Sequence, residues 1–340
     1  MPILITGATG LVGANLARLL CVRGEKPRLL VRERSDRRGL RGLDCEEILG
    51  DVLRHDTLAP ALEGVDRVYH CAGGVRPDKV APAELERLNV DGTRNVVRAA
   101  RAAGVRRVVH VSSVSAVGHG PLDHPATEDM AWNFDERLVY HRSKRRAEEA
   151  ARAEAGGSME LVIGNPTIVI GASDVRPTSG ELILAVARGR MPFFPSGGTN
   201  FVNASDVAEG LSLLMDRGRS GERYILGGEN LTWRAFFDLV AEEAGARPPK
   251  IPVPDRVLHG LASVGHLVER IAPPLARYVQ LGYLAPSTMA AYYSIAKAER
   301  ELGYRPRPLR LGVRDALRWF QEEGVLPRDV PLHPRGTVPV

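Results

Sequence analysis

The sequence predicts an α/β fold: a doubly wound parallel sheet followed by a smaller, mostly helical C-terminal substrate domain. Three observations predict it. In the first half, short β-rich runs alternate with longer helical patterns, an order that requires parallel strands with helices on both faces. The strand runs are continuously apolar rather than alternating, as in strands covered on both sides. The first strand leads directly into a glycine-rich turn and a helix. A chain of 340 residues suits one large domain or two closely packed ones.

Ile3-Leu4-Ile5-Thr6 is the first strand, and Leu11 to Arg23 the helix after it. Arg28 to Val31 and Glu46 to Leu49 are the second and third strands, and Arg67 to Cys71 the fourth. Ala83 to Ala103 is one long helix that stops at Gly104, a residue suited to the position after a helix end. Val108 to Ser112 is the fifth strand, about Val139 to Ala155 a helix, and Leu161-Val162-Ile163 the sixth strand. Beyond Gly171 the rhythm is lost. Phe201 to Leu214 is a short strand and an amphipathic helix, and Tyr224-Ile225-Leu226 a further strand. Residues 233–245 and 255–271, Lys297 to Leu302 and Val313 to Glu323 are helical. The expected division is a nucleotide domain over 1–170, to which about 201–218 returns, and a lid over 171–200 and 219–340.

Hydrophobic residues make up 44% and charged residues 26%, which excludes a disordered chain. No run approaches the ~18 apolar residues of a membrane span. Met1 passes straight into the first strand with no basic leader region, so a cytoplasmic protein without an integral membrane segment is expected. The cysteines Cys21, Cys45 and Cys71 form neither a disulfide framework nor a metal cluster, and no metal is expected. The net charge of +5 is modest, and basic residues are interleaved with acidic ones, as in Glu148, Glu149, Arg152 and Glu154. That pattern reads as a solvated surface. With aromatics at 5%, no nucleic-acid partner is expected.

The turn Gly7-Ala8-Thr9-Gly10-Leu11-Val12-Gly13 follows strand one and opens a helix. Gly7 permits the tight turn, Gly10 lets backbone approach a pyrophosphate, and Gly13 lets the helix pack on the strand. The free N–H groups of the first helical turn would meet the phosphates. The first gap is one residue longer than in the usual fingerprint, but the strand–turn–helix setting makes the signal specific. The sheet is therefore expected to be Rossmann-type. Strand two ends Leu30-Val31-Arg32, with Glu33, Ser35, Arg37 and Arg38 beyond it. No carboxylate holds the terminal position that binds the adenosine ribose in NAD proteins, whereas Arg32 could fork onto a 2′-phosphate. NADP is the expected cofactor, with NAD the alternative; a merely solvated Arg-rich loop is the other reading. Asp51, followed by Val52, can accept from the adenine amino group or simply cap the next helix.

Strand five ends in Val111-Ser112-Ser113, and Tyr140 and Lys144 stand four apart on a helix. That spacing puts both side chains on one face. A nearby ammonium favours a phenolate; lowering a tyrosine from ~10 to ~7 is worth roughly 4 kcal/mol. Such a phenol can pass a proton to or from a carbonyl or alcohol oxygen, which a serine hydroxyl orients.

These residues resemble the extended type of the short-chain dehydrogenase/reductase superfamily, the NAD-dependent epimerase/dehydratase family, over nearly the whole chain. The resemblance rests on the glycine turn, Asn89-Val90-Asp91-Gly92-Thr93, Ser112-Ser113 with Ala116-Val117-Gly118, and Tyr140 with Lys144. It continues through Phe201 to Ala208 and Ala296 to Pro306. It implies Ser113 as active-site serine, Tyr140 as acid/base, and Lys144 as its electrostatic partner, also bonded to the nicotinamide ribose. Asn89 would sit behind the lysine and hold a proton-relay water, or be a plain helix residue. His70-Cys71-Ala72-Gly73 and Val111 would line the cofactor, and Pro166, Thr167 and Ile168 lie along the nicotinamide. The runs Gly221 to Thr232 and Ser35 to Arg38 are similar to the hopanoid-associated sugar epimerase group. Dihydroflavonol reductase-like and 3β-hydroxysteroid dehydrogenase-like members share them.

Nucleotide-sugar epimerases usually carry an Asn where Ile168 stands and an Arg where Leu284 aligns. A buried diphosphate needs such partners. Leu258, Leu261, Val264, Leu267, Val268, Ile271, Leu275, Val279 and Leu284 form an apolar lid stripe, either plain core or a wall for a lipophilic substrate. Trp132 and Phe134 either close over that substrate or pack their own loop, and His119 and His124 read as exposed loop residues. The leading expectation is an NADP(H)-dependent oxidoreductase for a hydrophobic carbonyl or alcohol. A nucleotide-sugar epimerase or dehydratase with tightly bound NAD is the alternative, and a non-catalytic dinucleotide sensor the third reading. Family members pair through the helices bearing Asn89 and Tyr140, which implies a homodimer.

Overall fold

A computed structural model describes residues 2–75, 81–258, 260, 288–328 and 330–332. Its first unit is a seven-stranded parallel sheet. β1 (Ile3–Thr6), β2 (Arg28–Val31), β3 (Glu46–Leu49), β4 (Arg67–His70), β5 (Arg107–Val111) and β6 (Glu160–Pro166) follow in chain order. The spatial order is β3-β2-β1-β4-β5-β6 with one late strand beyond β6. All four β1 residues are buried, as a central strand with both faces covered requires. β3, with Glu46 and Glu47, is the exposed edge; edge charges discourage pairing with another chain.

The helices α1 (Leu11–Val22), α2 (Leu58–Leu62), α3 (Pro82–Glu86), α4 (Gly92–Ala102) and α5 (Val139–Glu154) connect these strands. Chain order reverses between β1–β2 and β1–β4, which opens a crevice at the carboxyl ends of the strands. The registers Thr6–His70 and His70–His110 bring the ends of β1, β4 and β5 level there.

The expected single helix from 83 to 103 is interrupted. Arg87–Asp91 is a π-helical turn between α3 and α4, and the Thr93 hydroxyl donates to the Asn89 carbonyl at 2.6 Å. One extra residue per turn leaves a carbonyl without its usual i+4 partner, and a threonine one turn on supplies the hydrogen.

The second half holds β7 (Ile168–Ile170), α6 (Gly180–Ala187), β8 (Phe193–Pro195), β9 (Gly198–Asn203), α7 (Ala204–Arg217), β10 (Arg223–Leu226), β11 (Glu229–Thr232), α8 (Trp233–Glu243), β12 (Ile251–Val253), β13 (Ala290–Ala291), α9 (Ala296–Leu302) and α10 (Leu309–Glu322). α7 packs on α1. β10, assigned to the lid on sequence grounds, pairs parallel with β6 as the seventh strand of the first sheet, and α9 packs on α7 and β10. The apolar run Tyr224-Ile225-Leu226 is wholly buried there, so the strand belongs with the first core.

β9 is the hub of a second sheet, parallel to β7 and β13 and antiparallel to β11; β8 and β12 pair separately. A second apolar cluster joins α6, α8 and α10, with Phe201 stacked on Phe236 at 4.1 Å. Of the stretch 255–271, residues 255–258 are helical and Leu258 is buried. Leu261, Val264, Leu267, Val268, Ile271, Leu275, Val279 and Leu284 lie outside the described residues.

Candidate active site

Gly7 takes φ +69°, a left-handed conformation that favours glycine, and packs against the segment just after β4. A Cβ there would sit 2.5 Å from the Ala72 nitrogen. Gly13 is as crowded: a Cβ would lie 2.4 Å from the Gly7 oxygen. Gly10 is different. Its backbone is extended, and the nearest protein atom to an added Cβ is the Gly7 oxygen at 3.4 Å. The space above Gly10 is one that a side chain would fill. α1 begins there without a side-chain cap and without an acidic residue in its first turn. Its first N–H groups and positive dipole end remain available, so the turn Gly7–Gly13 with Thr9, Leu11 and Val12 fits a dinucleotide pyrophosphate.

At the end of β2, the Arg32 side chain is exposed and makes no hydrogen bond or ion pair among the described residues, while its backbone N–H donates to Ser35. Its neighbours are committed elsewhere: Arg37 to Glu47 at 2.7 Å, Arg38 to Asp36 at 2.8 Å and to Glu323 at 3.4 Å. One Asp51 oxygen accepts from Leu53 N at 2.9 Å, a bond inside the turn; the helical segments that follow start from Arg54 and Thr57, so Asp51 caps neither of them. Val52 beside it is buried.

Across the crevice, Ser113 follows β5; its hydroxyl accepts from Ser115 N at 3.2 Å and lies near enough to the Tyr140 phenol to draw its pKa down. Tyr140 lies in the first turn of α5, and Lys144, one turn further, is 6% exposed with its Nζ donating to the Val111 carbonyl at 3.1 Å. Burial pushes the Lys144 ammonium down to about 8, against the opposing pull of the Glu148 carboxylate. The phenol does not follow the expected direction. Burial raises Tyr140, and the Ser113 hydroxyl lowers it only in part. Desolvation of a phenolate outweighs one hydrogen bond.

Asn89 sits in the π-helical turn, fully buried. Its amide donates to Ser143 Oγ at 2.9 Å and to the Gly74 carbonyl at 3.1 Å, and its oxygen accepts from Gly74 N at 2.7 Å. Ser143 in turn donates to the Tyr140 carbonyl at 2.7 Å. Asn89 thus ties α5 to the segment after β4 and is no plain helix residue. His70 points into the core rather than toward the crevice: its ring bonds Thr6 Oγ1 at 2.7 Å and Thr93 Oγ1 at 3.0 Å. Cys71 and Ala72 are half-buried and Gly73 is exposed. On the far side Pro166 and Thr167 are buried and Ile168 half-buried, with Thr167 donating to Asn200 at 2.9 Å.

Two residues escape the sequence reading. Glu148 is not on a solvated face: its side chain is 3% exposed and pairs with Arg152 at 3.0 Å. Its other oxygen accepts from Asn165 Nδ2 at 2.6 Å, and the same amide donates to the Ser113 carbonyl at 2.9 Å. The i, i+4, i+8 spacing of Tyr140, Lys144 and Glu148 was a signal available in the sequence. Asn165 carried none.

The loop aromatics pack their own loop. Phe134 is buried between His119 and His141, at 5.0 and 4.3 Å, and Trp132 donates to the Ser115 carbonyl with Arg145 stacked on its ring. His119 is half-buried, not exposed, and burial lowers its pKa; His124 is exposed as expected.

A parallel sheet with a glycine cradle at its switch point, and Ser113, Tyr140 and Lys144 beside it, defines an NAD(P)-binding oxidoreductase fold of the short-chain dehydrogenase/reductase class. The chain belongs to the NAD dependent epimerase/dehydratase family, whose model matches residues 3–227. It is 37% identical to sterol demethylase protein B of Methylococcus capsulatus, over 96% of this chain and 100% of that one. It is 30% identical to the 4-hydroxy-2-methyl-3-oxo-4-farnesyl-3,4-dihydroquinoline-1-oxide ketoreductase of Stigmatella aurantiaca, over 94% of this chain and 96% of that one. Among solved structures it is similar to gox2253, with a TM-score of 0.83 and 40% identity over 95% of this chain and 98% of that one. No helix among the described residues is long and apolar enough to cross a membrane.

Proposed function

We propose that the chain is an NADP(H)-dependent oxidoreductase that interconverts a carbonyl and an alcohol on a hydrophobic small molecule, with Tyr140 as acid/base. What supports this reading is that Ser113 stands beside the Tyr140 phenol and that Lys144, one turn further along α5, reaches the Val111 carbonyl at the end of β5. Arg32, unpaired at the end of β2 among the described residues, would take the 2′-phosphate. Gly7 to Gly13 would hold the pyrophosphate. Cys71, Ala72 and Gly73 on one side, and Pro166, Thr167 and Ile168 on the other, would bracket the nicotinamide. When bound, the nicotinamide supplies or accepts the hydride.

In the reducing direction the substrate oxygen receives a hydrogen bond from Ser113 and the proton of Tyr140 as its carbon receives hydride. The phenol is protonated at neutral pH, the form the acid needs, and burial holds it further from ionisation. The Lys144 ammonium stabilises the phenolate left behind until solvent returns its proton. In the oxidising direction the phenol must first ionise, so the rate rises with pH.

The substrate class draws support from the relatives: one is named for a ketone bearing a farnesyl chain and another for a sterol. An epimerase or dehydratase of nucleotide sugars is the second reading, favoured by the family's own description. Ile168, half-buried beside the crevice, offers a diphosphate no hydrogen bond.

Oxidation of NADPH across a panel of lipophilic ketones, with UDP-sugars as the contrast set, tests the proposal. Ketone turnover supports it. Turnover of UDP-sugars alone, with NAD retained through purification, overturns it. A homodimer formed through α4 and α5 accompanies this reading, and sedimentation at micromolar concentration checks it.

A further inference from the structure

Tyr140, Lys144 and Glu148 share one stripe of α5, and only the first two belong to the reaction proposed above. Glu148 is a buried carboxylate held from two sides. Arg152 pairs with one oxygen at 3.0 Å, and Arg223 approaches the same oxygen at 3.7 Å from β10. The other oxygen takes the Asn165 amide of β6 at 2.6 Å, and that amide also donates to the Ser113 carbonyl at 2.9 Å. Arg223 reaches further along the Ser113 loop, donating to the Ala116 carbonyl at 3.3 Å and to the Glu128 carbonyl at 2.8 Å. One carboxylate therefore braces the backbone on which the active-site serine rides and faces the lysine from the next helical turn. A buried carboxylate is expensive to keep, and its cost is offset here only by those charge-assisted bonds.

We propose that Glu148 is a positioning residue: through Asn165 it fixes the Ser113 backbone against α5, and from one helical turn away its carboxylate is the counter-charge of Lys144. The inference rests on the oxidoreductase reading for its consequence in turnover, but not for its consequence at Lys144.

Lys144 is surrounded by few other charges. Besides Glu148 on its own helix it faces the Cys71 thiol from the segment after β4, the neutral His70 and His110 rings from β4 and β5, and the Tyr140 phenol. Glu148 and Cys71 oppose the desolvation that drives the ammonium down to about 8. Without the carboxylate, Lys144 must lose its proton at lower pH.

The chain has five lysines, so a protein labelled with 13C at lysine Cε gives a spectrum in which Lys144 is assigned by its loss in Lys144→Arg. Glu148→Gln preserves shape and removes charge. Its Lys144 resonance is expected to titrate at least half a pH unit lower than in the native chain. Glu148→Asp keeps the charge and is expected to titrate close to native, which guards against a general loosening of the site. An unmoved titration in Glu148→Gln overturns the proposal, whatever the enzyme turns over. Where NADPH-dependent ketone reduction is measured, Asn165→Ala is expected to lower kcat about tenfold, with the Lys144 titration in place and the NADPH dissociation constant within twofold of native. Native kcat in Asn165→Ala removes the Ser113 half of the proposal. Absence of ketone turnover in the native chain defeats the oxidoreductase reading and leaves the Lys144 titration as an intact test.

Discussion

Gly10 and Gly13 look equivalent in the sequence, yet the structure assigns them opposite burdens, and alanine at each separates the two. A Cβ on Gly13 would stand 2.4 Å from the Gly7 oxygen and 2.8 Å from the Ala8 Cα, both backbone atoms of the turn. Contacts of this kind want roughly 3.5 Å, so α1 and the turn must part by roughly 1 Å. Overpacking on that scale costs ~1–3 kcal/mol. Replacing glycine inside a helix returns about 1 kcal/mol. Because both contacts are with backbone atoms that cannot turn aside, the cost lies at the upper end of that range, and about 3 less about 1 leaves a loss of about 2 kcal/mol for Gly13→Ala, with NADPH binding weakened ~10-fold or more because the cradle itself has moved. At Gly10 the conformation already suits alanine, and the nearest protein atom lies at 3.4 Å. Exchange at a helix N-cap costs roughly 0.5 kcal/mol or a little more. Gly10→Ala should therefore unfold almost as the native chain does in urea, without cofactor, while its methyl group occupies phosphate space and weakens NADPH binding ~10-fold or more. Urea unfolding followed by circular dichroism and NADPH fluorescence titration read both quantities. Native NADPH affinity in Gly10→Ala would refute the cradle, and native stability in Gly13→Ala would refute the close helix–strand contact.

Three further outcomes follow from the same geometry. Arg32→Asp should raise the KM for NADPH far more than that for NADH, because it places a carboxylate where the 2′-phosphate would lie; equal effects on both remove the basis for NADP. Tyr140→Phe should lower ketone reduction by roughly 10²–10⁴-fold while leaving NADPH affinity within a few-fold, since the phenol acts on the reacting oxygen; unchanged turnover ends the acid/base assignment. Burial depresses both His70, to about 3, and His110, whose ring nitrogens meet no partner among the described residues. A depressed histidine is neutral when folded and protonated when unfolded, so stability is present above the unfolded value near 6.5 and is lost as pH falls below it, by about 2 kcal/mol per histidine at pH 5. His110→Phe should remove one such share and flatten the slope of urea-unfolding stability between pH 6.5 and 5; an unaltered slope contradicts the buried neutral ring.

What the sequence made legible is what local spacing encodes. The glycine turn, the alternation of strands and helices, and the four-residue step from Tyr140 to Lys144 each state a geometry within a single element, and each element stands where expected. β10 was harder, because its place depends on β6, some sixty residues earlier, and Tyr224-Ile225-Leu226 would suit a strand of either sheet. The π-helical turn at Asn89 was harder still. Helical periodicity continues across it, and its warrant is a single hydroxyl, that of Thr93, whose other neighbour is the His70 ring.

The direction of the Tyr140 shift shows the same limit in energetic form. A cation one helical turn away is visible in the sequence and argues for a lowered phenol, but how far water is excluded is a property of the assembled crevice, and here burial raises the phenol. The reaction reading survives that reversal because its two directions ask different things of Tyr140. Reduction needs the proton that a phenol already carries at neutral pH, and burial widens that margin, whereas oxidation must first remove it. The same desolvation that raises the phenol sets Lys144 near 8 and makes the carboxylate of Glu148 worth burying beside it.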